Sequence, residues 1–421
     1  MVVSIYSINE AVIERNKMKK ILWLSHLVPY PPKGGVLQRS YNLIKEVSRY
    51  NKVTLLAFNQ TNLVGSQALL DEAQSHFSQF CHVEGIVPIA SEGSRFKRLL
   101  LLLKGLLPTK TYTVSWLEST WFEQRLEALL ARENFDVIHV DTISLVPYVA
   151  KYKSIKIVLN HHNIESLMLL RRAENEKNWL KKFYFWQEGK KLMRYERKVC
   201  NTFSLNVTCS HLDTDRLKTI APGIEAIDVA NGVDLNYFQP LDCPKIEKSL
   251  IFAGGLSWYP NLDAMSFFLR KVWPRLVAEV PGISLTVIGR NPPEWMLALQ
   301  AEYPTLKVTG FVDDVRPYLS QAHIYVCPIR DGGGTKLKVL DALAMRMPLV
   351  ADPIACEGID VIDGESVIYA TTPDDYVDSI KTLINDPQLC KRVADNGAAL
   401  IQNNYSFESL GKKLSDAYQQ L

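Results

Sequence analysis

Several things are scarce in this 421-residue chain, and each scarcity removes a class of function. Its net charge is only +3, too close to neutral for a surface built to bind nucleic acid. Seven cysteines lie scattered at 81, 200, 209, 243, 327, 356 and 390, with no Cys-x-x-Cys pair and no metal-ligand spacing, and several sit inside apolar runs. That usage points to a reducing, cytoplasmic setting. No apolar run approaches the roughly 20 residues needed to cross a bilayer. The longest, Leu99 to Leu103 with Leu106 and Leu107, is broken by Lys104 and Pro108. Residues 1–17 carry Glu10, Glu14 and Arg15 and lack a small-residue cleavage site behind an apolar core, so they read as an N-terminal extension and not as a signal peptide. The Gly-x-Gly-x-x-Gly spacing of a dinucleotide fingerprint is missing too, which disfavours an oxidoreductase.

What is present is a long alternation of short apolar runs with helical patterns, the mark of parallel sheets covered on both faces by helices. The fold class is α/β. At this length two domains are expected. One series of strands reads near 20–26, 53–58, 136–140, 155–160, 203–208 and 226–230, and a second near 249–253, 283–288, 306–309, 323–328 and 348–351. The turn-rich stretch from Asn231 to Pro244 lies between the series and reads as the connection. Both halves open alike. The first strand of each runs into glycines, Gly34-Gly35 and Gly254-Gly255, before a helix. Ligands of open parallel sheets bind beyond the carboxyl ends of the strands, so two such domains facing each other would form a cleft floored by these turns.

The most informative segment is 329–345, Ile-Arg-Asp-Gly-Gly-Gly-Thr-Lys-Leu-Lys-Val-Leu-Asp-Ala-Leu-Ala-Met. An apolar strand precedes it, and Leu337, Leu340, Leu343 and Ala344 recur at helical spacing from Thr335 onward. Gly332, Gly333, Gly334 and Thr335 therefore stand at a strand-to-helix turn, where free N–H groups and the helix dipole favour a phosphate. Lys336 and Lys338 add charge, and Asp341, about a turn further on, is placed to accept from a ligand hydroxyl. The plainer reading is a glycine-rich loop with Thr335 as N-cap and a Lys338/Asp341 surface pair.

Five ordered blocks then carry a resemblance: Phe252-Ala-Gly-Gly-Leu-Ser-Trp-Tyr-Pro-Asn, Val287-Ile-Gly-Arg-Asn-Pro-Pro, Val308-Thr-Gly-Phe-Val-Asp-Asp, the glycine-lysine helix, and Ala355-Cys-Glu-Gly-Ile. From about Met18 to the C-terminus the chain resembles the family-4 retaining glycosyltransferases of GT-B architecture, two Rossmann-like domains whose parallel sheets face each other across a cleft. The resemblance implies an acceptor-side domain at 18–239, a nucleotide-sugar-binding domain at 240–399, and a C-terminal helix at 400–421 returning to the first. It places the donor base near Phe311 and Val312, the ribose on Asp341, and the diphosphate between Gly254-Gly255 and the helix start. His162 matches a histidine near the transferred sugar, and Gly34 and Gly35 match a loop close to donor phosphate and acceptor.

The chain departs from the family pattern in three ways: Asp341 is shorter than the usual Glu, the acid before it is missing, and so is the usual cationic phosphate clamp. Gly333 stands where an acid usually precedes Asp341 by eight residues, and Gly255 and Asn261 stand where many members carry Arg and Lys. Lys336, Lys338, Arg290 and Arg330 are the available substitutes, Lys336 and Lys338 the favoured ones. Preorganised donors and fixed charge can stabilise a leaving diphosphate, so neither metal nor cofactor is expected beyond the nucleotide sugar itself. Asp213-Thr-Asp215 and Asp313-Asp314 read as helix-start caps. Segment 165–198 holds ten Lys or Arg against five Glu, with Trp179, Phe183, Phe185 and Trp186 interleaved. That composition suits an anionic membrane surface at the inner membrane face, or equally a long solvated helix whose aromatics pack on the domain, and Arg95-Phe-Lys-Arg would extend the basic surface. The expected activity is transfer of a hexose-type sugar to a glycan or lipid-linked acceptor in cell-surface polysaccharide assembly. The rivals are a donor-binding module without catalysis and a nucleotide-sugar epimerase.

Overall fold

The computed structural model describes residues 18–32, 35–60, 64–89, 101, 105, 111–332 and 334–421. The chain divides into two compact units, one ending at Ala230 and completed by Leu410–Leu421, the other Asn231–Ser409.

The first unit is a seven-stranded sheet of β1 (Lys20–Ser25), β2 (Lys52–Asn59), β3 (His82–Pro88), β4 (Val137–Val140), β5 (Lys156–Asn160), β6 (Leu205–Thr208) and β7 (Ala226–Asp228), ordered β3-β2-β1-β4-β5-β6-β7. Every neighbouring pair is parallel. The central strands are buried on both faces, so they read as unbroken apolar runs. Their side chains join Phe122, Leu126, Leu192 and Leu217 from the covering helices in one core.

The second unit is a six-stranded parallel sheet of β8 (Ser249–Ala253), β9 (Ser284–Ile288), β10 (Leu306–Gly310), β11 (Ile324–Cys327), β12 (Leu349–Ala351) and β13 (Ile368–Tyr369), ordered β10-β9-β8-β11-β12-β13. Phe252, Phe268, Trp273 and Tyr376 lie at its core. Fully burying side chains of this size contributes about 1.5–3 kcal/mol each, which is why both sheets are wrapped.

In each sheet the strand order reverses once, between β1 and β4 and between β8 and β11. These switch points leave crevices beyond the carboxyl ends of the central strands.

Four sequence readings need correction. Strands β3 and β13 were not expected. Both are sheet edges, β3 carries Glu84 and Gly85 and shifts register against β2 between Leu55 and Leu56, and β13 has only two residues. Segment 165–198 is not one long helix but two, Glu165–Asn175 and Trp179–Cys200, because Asn178 caps the second by accepting from the Leu180 and Lys181 amides. Its aromatics are not all packed on the domain, since Trp179, Phe183 and Trp186 are 74%, 57% and 49% exposed. The 335 helix begins later, at Leu337, with Lys336 and not Thr335 at the cap. The expected extension 1–17, Gly34, Gly333 and the Arg95-Phe-Lys-Arg start lie outside the described residues.

Candidate functional site

At the second switch point β8 ends at Ala253, held by the Tyr325 hydroxyl, which donates to the Ala253 carbonyl at 3.1 Å and accepts from its amide at 3.2 Å. Gly254 follows, and a Cβ there would come within 2.5 Å of the Lys338 Nζ and 3.0 Å of the Asn261 amide, so these side chains reach the turn only because it has none of its own. Lys338, from the helix Leu337–Ala344, donates to Asn261 Oδ1 and lies 5.0 Å over the Phe252 ring. Asn261 in turn donates to the Gly255 carbonyl at 2.8 Å. The Lys338/Asp341 surface pair of the plainer reading is therefore replaced by a buried ammonium against the glycine turn. Burial pulls the Lys338 pKa down to about 8. Burial likewise pushes the Asp341 carboxyl up to about 8, against the opposing pull of Lys338.

Lys336 ties the glycine turn from within, donating to the Gly332 carbonyl at 2.8 Å and the Gly334 carbonyl at 2.9 Å. Gly332 and Gly334 have φ of +104° and +74°, which only glycine adopts without strain. The Lys336 cap places no side-chain acceptor on the first helical amides, and the Thr335 hydroxyl is buried without a hydrogen-bond partner among the described residues. Arg290 stacks 4.1 Å over Phe311, which is 51% exposed, with Val312 beside it in the chain. Arg330 is committed elsewhere, to Asp263 at 2.9 Å and the Phe267 face at 4.1 Å. Gly255 has open space where a Cβ would stand. Neither acidic pair supplies the cap residue itself: Ser210 caps its helix by accepting from the Asp213 amide, with Asp213 accepting in return and pairing with Arg216, while Val315 holds the cap position before Arg316–Gln321 and Asp314 accepts from the Arg316 amide and guanidinium.

The first switch point holds a cluster that sequence reading had touched only at His162. Asp141, fully buried just after β4, accepts from Ser25 at 3.2 Å and Ser40 at 2.8 Å on one oxygen, and from Asn160 at 2.9 Å on the other. His162 Nε2 lies 3.1 Å from that second oxygen. His26 Nδ1 stands 3.7 Å from the first, without a hydrogen-bond partner among the described residues. Buried Arg39, from the helix Gly35–Val47 that opens at Gly35, donates to Asn160 Oδ1 at 3.1 Å and so turns the Asn160 amide nitrogen toward Asp141. The adjacent His161 points the other way, to Asn206 at 3.2 Å. Burial pushes His26 and His161 down to about 4 and His139 down to about 3, so all three are neutral near pH 7. Among the described residues His26, Asp141 and His162 form the one group whose ligand atoms lie within 4.8 Å of one another, close enough for a cation. The carboxylate's acceptor positions are already filled, however, and a cation would have to displace a donor. In the chain each lies just past an apolar strand run, Asp141 directly after Val140, His26 after Ser25, and His162 after Asn160 and His161, but nothing in the sequence joins the three.

Residues 86–237 match the family model described as Glycosyltransferase Family 4, and residues 247–386 the model described as Glycosyl transferases group 1. The chain carries a family-4 glycosyltransferase domain followed by a group 1 glycosyl transferase domain. Among curated relatives of the chain, an uncharacterized 44.6 kDa protein in the cps region of Klebsiella pneumoniae is 23% identical over 255 residues, 59% of this chain and 64% of that one. An alpha-D-kanosaminyltransferase of Streptomyces kanamyceticus is 29% identical over 119 residues, 27% of this chain and 30% of that one. The chain thus spans less than two thirds of the length of either. Among solved structures, HepE of Anabaena in complex with UDP aligns over 96% of this chain and all of its own, with a TM-score of 0.63 at 13% identity. The two parallel sheets and these neighbours make the fold GT-B.

Proposed function

We propose that this chain is a retaining glycosyltransferase that moves a hexose-type sugar from a nucleoside diphosphate sugar to a glycan or lipid-linked acceptor in cell-surface polysaccharide assembly, without a metal. The observation that carries the reading is the Lys338 ammonium, buried against the Gly254 turn beside a helix start whose first amides have no side-chain cap. A diphosphate there would meet fixed charge, free N–H groups and the unpartnered Thr335 hydroxyl, in surroundings where each interaction is stronger than in water. Lys338 also answers the missing cation at 261, since its ammonium is delivered onto the Asn261 side chain from the helix that follows β11, across the switch point. Asp341 is assigned the ribose, and Phe311 with Arg290 the base. The cps-region relative and the UDP bound to HepE agree with polysaccharide assembly and a nucleotide donor.

The exposed aromatics of the helix Trp179–Cys200 border a groove of about 410 Å³ flanked by Lys182 and Lys190, and we assign that face to the anionic membrane surface that would hold a lipid-linked acceptor. No helix among the described residues is long and apolar enough to cross a membrane.

The test is a thermal-shift screen of nucleotide sugars followed by measurement of diphosphate release with and without acceptor. Acceptor-dependent release with a product of unchanged anomeric configuration is expected. Binding without release would make the chain a donor-binding module, and conversion of the donor sugar without an acceptor would make it an epimerase. Co-sedimentation with anionic but not neutral vesicles at low salt is expected for the membrane face.

A further inference from the structure

We propose that Asp141 is a positioning residue that fixes the tautomer of His162, so that His162 meets its ligand as a hydrogen-bond acceptor through Nδ1 and takes a sugar hydroxyl there. The inference rests on the transferase reading for the identity of the ligand, but its geometric half stands on the first unit by itself.

The argument is a count of donors. An ionised carboxylate only accepts, and Asp141 is surrounded by groups that donate: the Ser25 and Ser40 hydroxyls on one oxygen, the Asn160 amide nitrogen on the other. Asn160 has no freedom to reverse, because Arg39 donates to its oxygen. Burial alone would raise the Asp141 carboxyl, yet the neighbouring histidines, His162 foremost, and this ring of donors hold it well below the usual carboxylate range. His162 Nε2, 3.1 Å from Asp141 Oδ1, must therefore carry the proton. In the neutral ring the lone pair then belongs to Nδ1, which makes no hydrogen bond with a described residue. A histidine of this tautomer cannot donate to a ligand phosphate or carbonyl. It can accept from a hydroxyl, which is what a sugar presents.

The groups facing this ring come from every element around it: His26 after β1, Arg39 and Ser40 from the helix Gly35–Val47, His139 and Asp141 on and after β4, Asn160 and His161 on and after β5, and Glu165 from the helix Glu165–Asn175. His26 and His162 stand 5.5 Å apart, ring to ring, and the His26 Nδ1 has no partner among the described residues. A hydroxyl held by His162 would lie beside a second imidazole kept neutral by burial.

The experiment uses the full chain uniformly labelled with nitrogen-15 histidine, and reads ring nitrogens by long-range proton–nitrogen correlation, with His162→Gln identifying the His162 signals. At pH 8 the His162 ring is expected as the Nε2–H tautomer. An Nδ1–H ring would overturn the proposal. In Asp141→Ala the His162 ring is expected to lose its fixed tautomer and show both neutral forms, because Nε2 no longer has an acceptor; an unchanged Nε2–H ring would remove Asp141 from the role. With a turned-over nucleotide sugar, Asp141→Asn and His162→Gln should each lower kcat/KM about 10- to 100-fold, the double variant no further than the worse single one. Fully additive losses would show that the two act separately. Stoichiometric zinc binding that moves the ring nitrogens of both His26 and His162 would reveal a metal centre and overturn the assignment. Absence of turnover with every nucleotide sugar would overturn the transferase reading, and the ring spectra would then judge the Asp141–His162 pair alone.

Discussion

At the ends of β1 and β4 one buried carboxylate is ringed by donors, whereas at the ends of β8 and β11 two ammonium groups are held by carbonyl oxygens, the Gly332 and Gly334 carbonyls for Lys336 and the Asn261 amide for Lys338. Both clusters occupy the same topological position, yet they are finished to different degrees. Asp141 has its acceptor capacity filled by the protein. Lys338 has exchanged water for one neutral amide, and Thr335 for nothing among the described residues. A buried cation with a neutral partner is incompletely compensated, and an anion is what completes it. The first switch point is therefore a frame that aims one ring, and the second is a socket.

This contrast sets the order of expected effects. Arg39→Ala should be the most damaging change to the fold, because it strips a buried cation from Asn160 and the Ala230 carbonyl; a loss of about 3 kcal/mol in urea unfolding is expected, and a loss below about 1 kcal/mol would show that the frame is not rigid. Lys338→Ala should leave stability almost untouched and lower kcat/KM by about 2–3 kcal/mol, read from steady-state kinetics with donor varied. Near wild-type kcat/KM would place the diphosphate elsewhere and erase the contrast.

Gly254→Ala comes next. Its new methyl meets the far end of a flexible side chain, so the fold should survive while Lys338 is pushed off the turn, and UDP affinity measured by calorimetry should fall about tenfold. Unchanged affinity with unchanged melting would mean that Lys338 does not touch the nucleotide.

The pH dependence follows from two opposite shifts. Asp341 moves from 3.8 to about 8, so between those values the folded chain holds a proton the unfolded chain has lost, and stability falls as pH rises. Lys338 moves from 10.5 to about 8, so above about 8 the folded chain binds fewer protons, and stability recovers toward 10.5. A shallow minimum near pH 8 is expected in urea unfolding, absent from the Asp341→Asn, Lys338→Met double variant. UDP affinity should weaken above pH 8 as Lys338 loses its charge. The smallest effect is expected from Asn261→Lys, which restores a cation where many family members carry one but sets it against Lys338; a several-fold gain in UDP affinity would show that the socket lacked charge after all.

How much of this was legible in the sequence depends on contiguity. The α/β class and eleven of the strands show as apolar runs, because two-sided burial removes alternation, whereas β3 and β13 lie at sheet edges where that pressure is weakest. The glycine-lysine helix was readable because turn, charge and helical period fall within seventeen residues, 329–345. Its exact start was not, since Lys336 caps with its backbone alone. The Asp141 frame was unreadable for the opposite reason: residues 25, 26, 39, 40, 141, 160 and 162 come from separate elements, and only the sheet brings them together. The break at Asn178 turned on one capping side chain within an otherwise helical pattern.

The helix Phe407–Gln419 carries a consequence for the order in which the molecule can be made. Tyr418 lies 279 residues beyond its partner His139, to which it is joined at 2.7 Å, and His139 stacks on Trp23 at the heart of the first sheet. Ser415 accepts from Asn51, and Lys413 pairs with Asp228, on the same unit. During synthesis the first unit emerges with a hole where that helix belongs, and it must wait, with the wall of its own core unbuilt, until the whole second unit has left the ribosome.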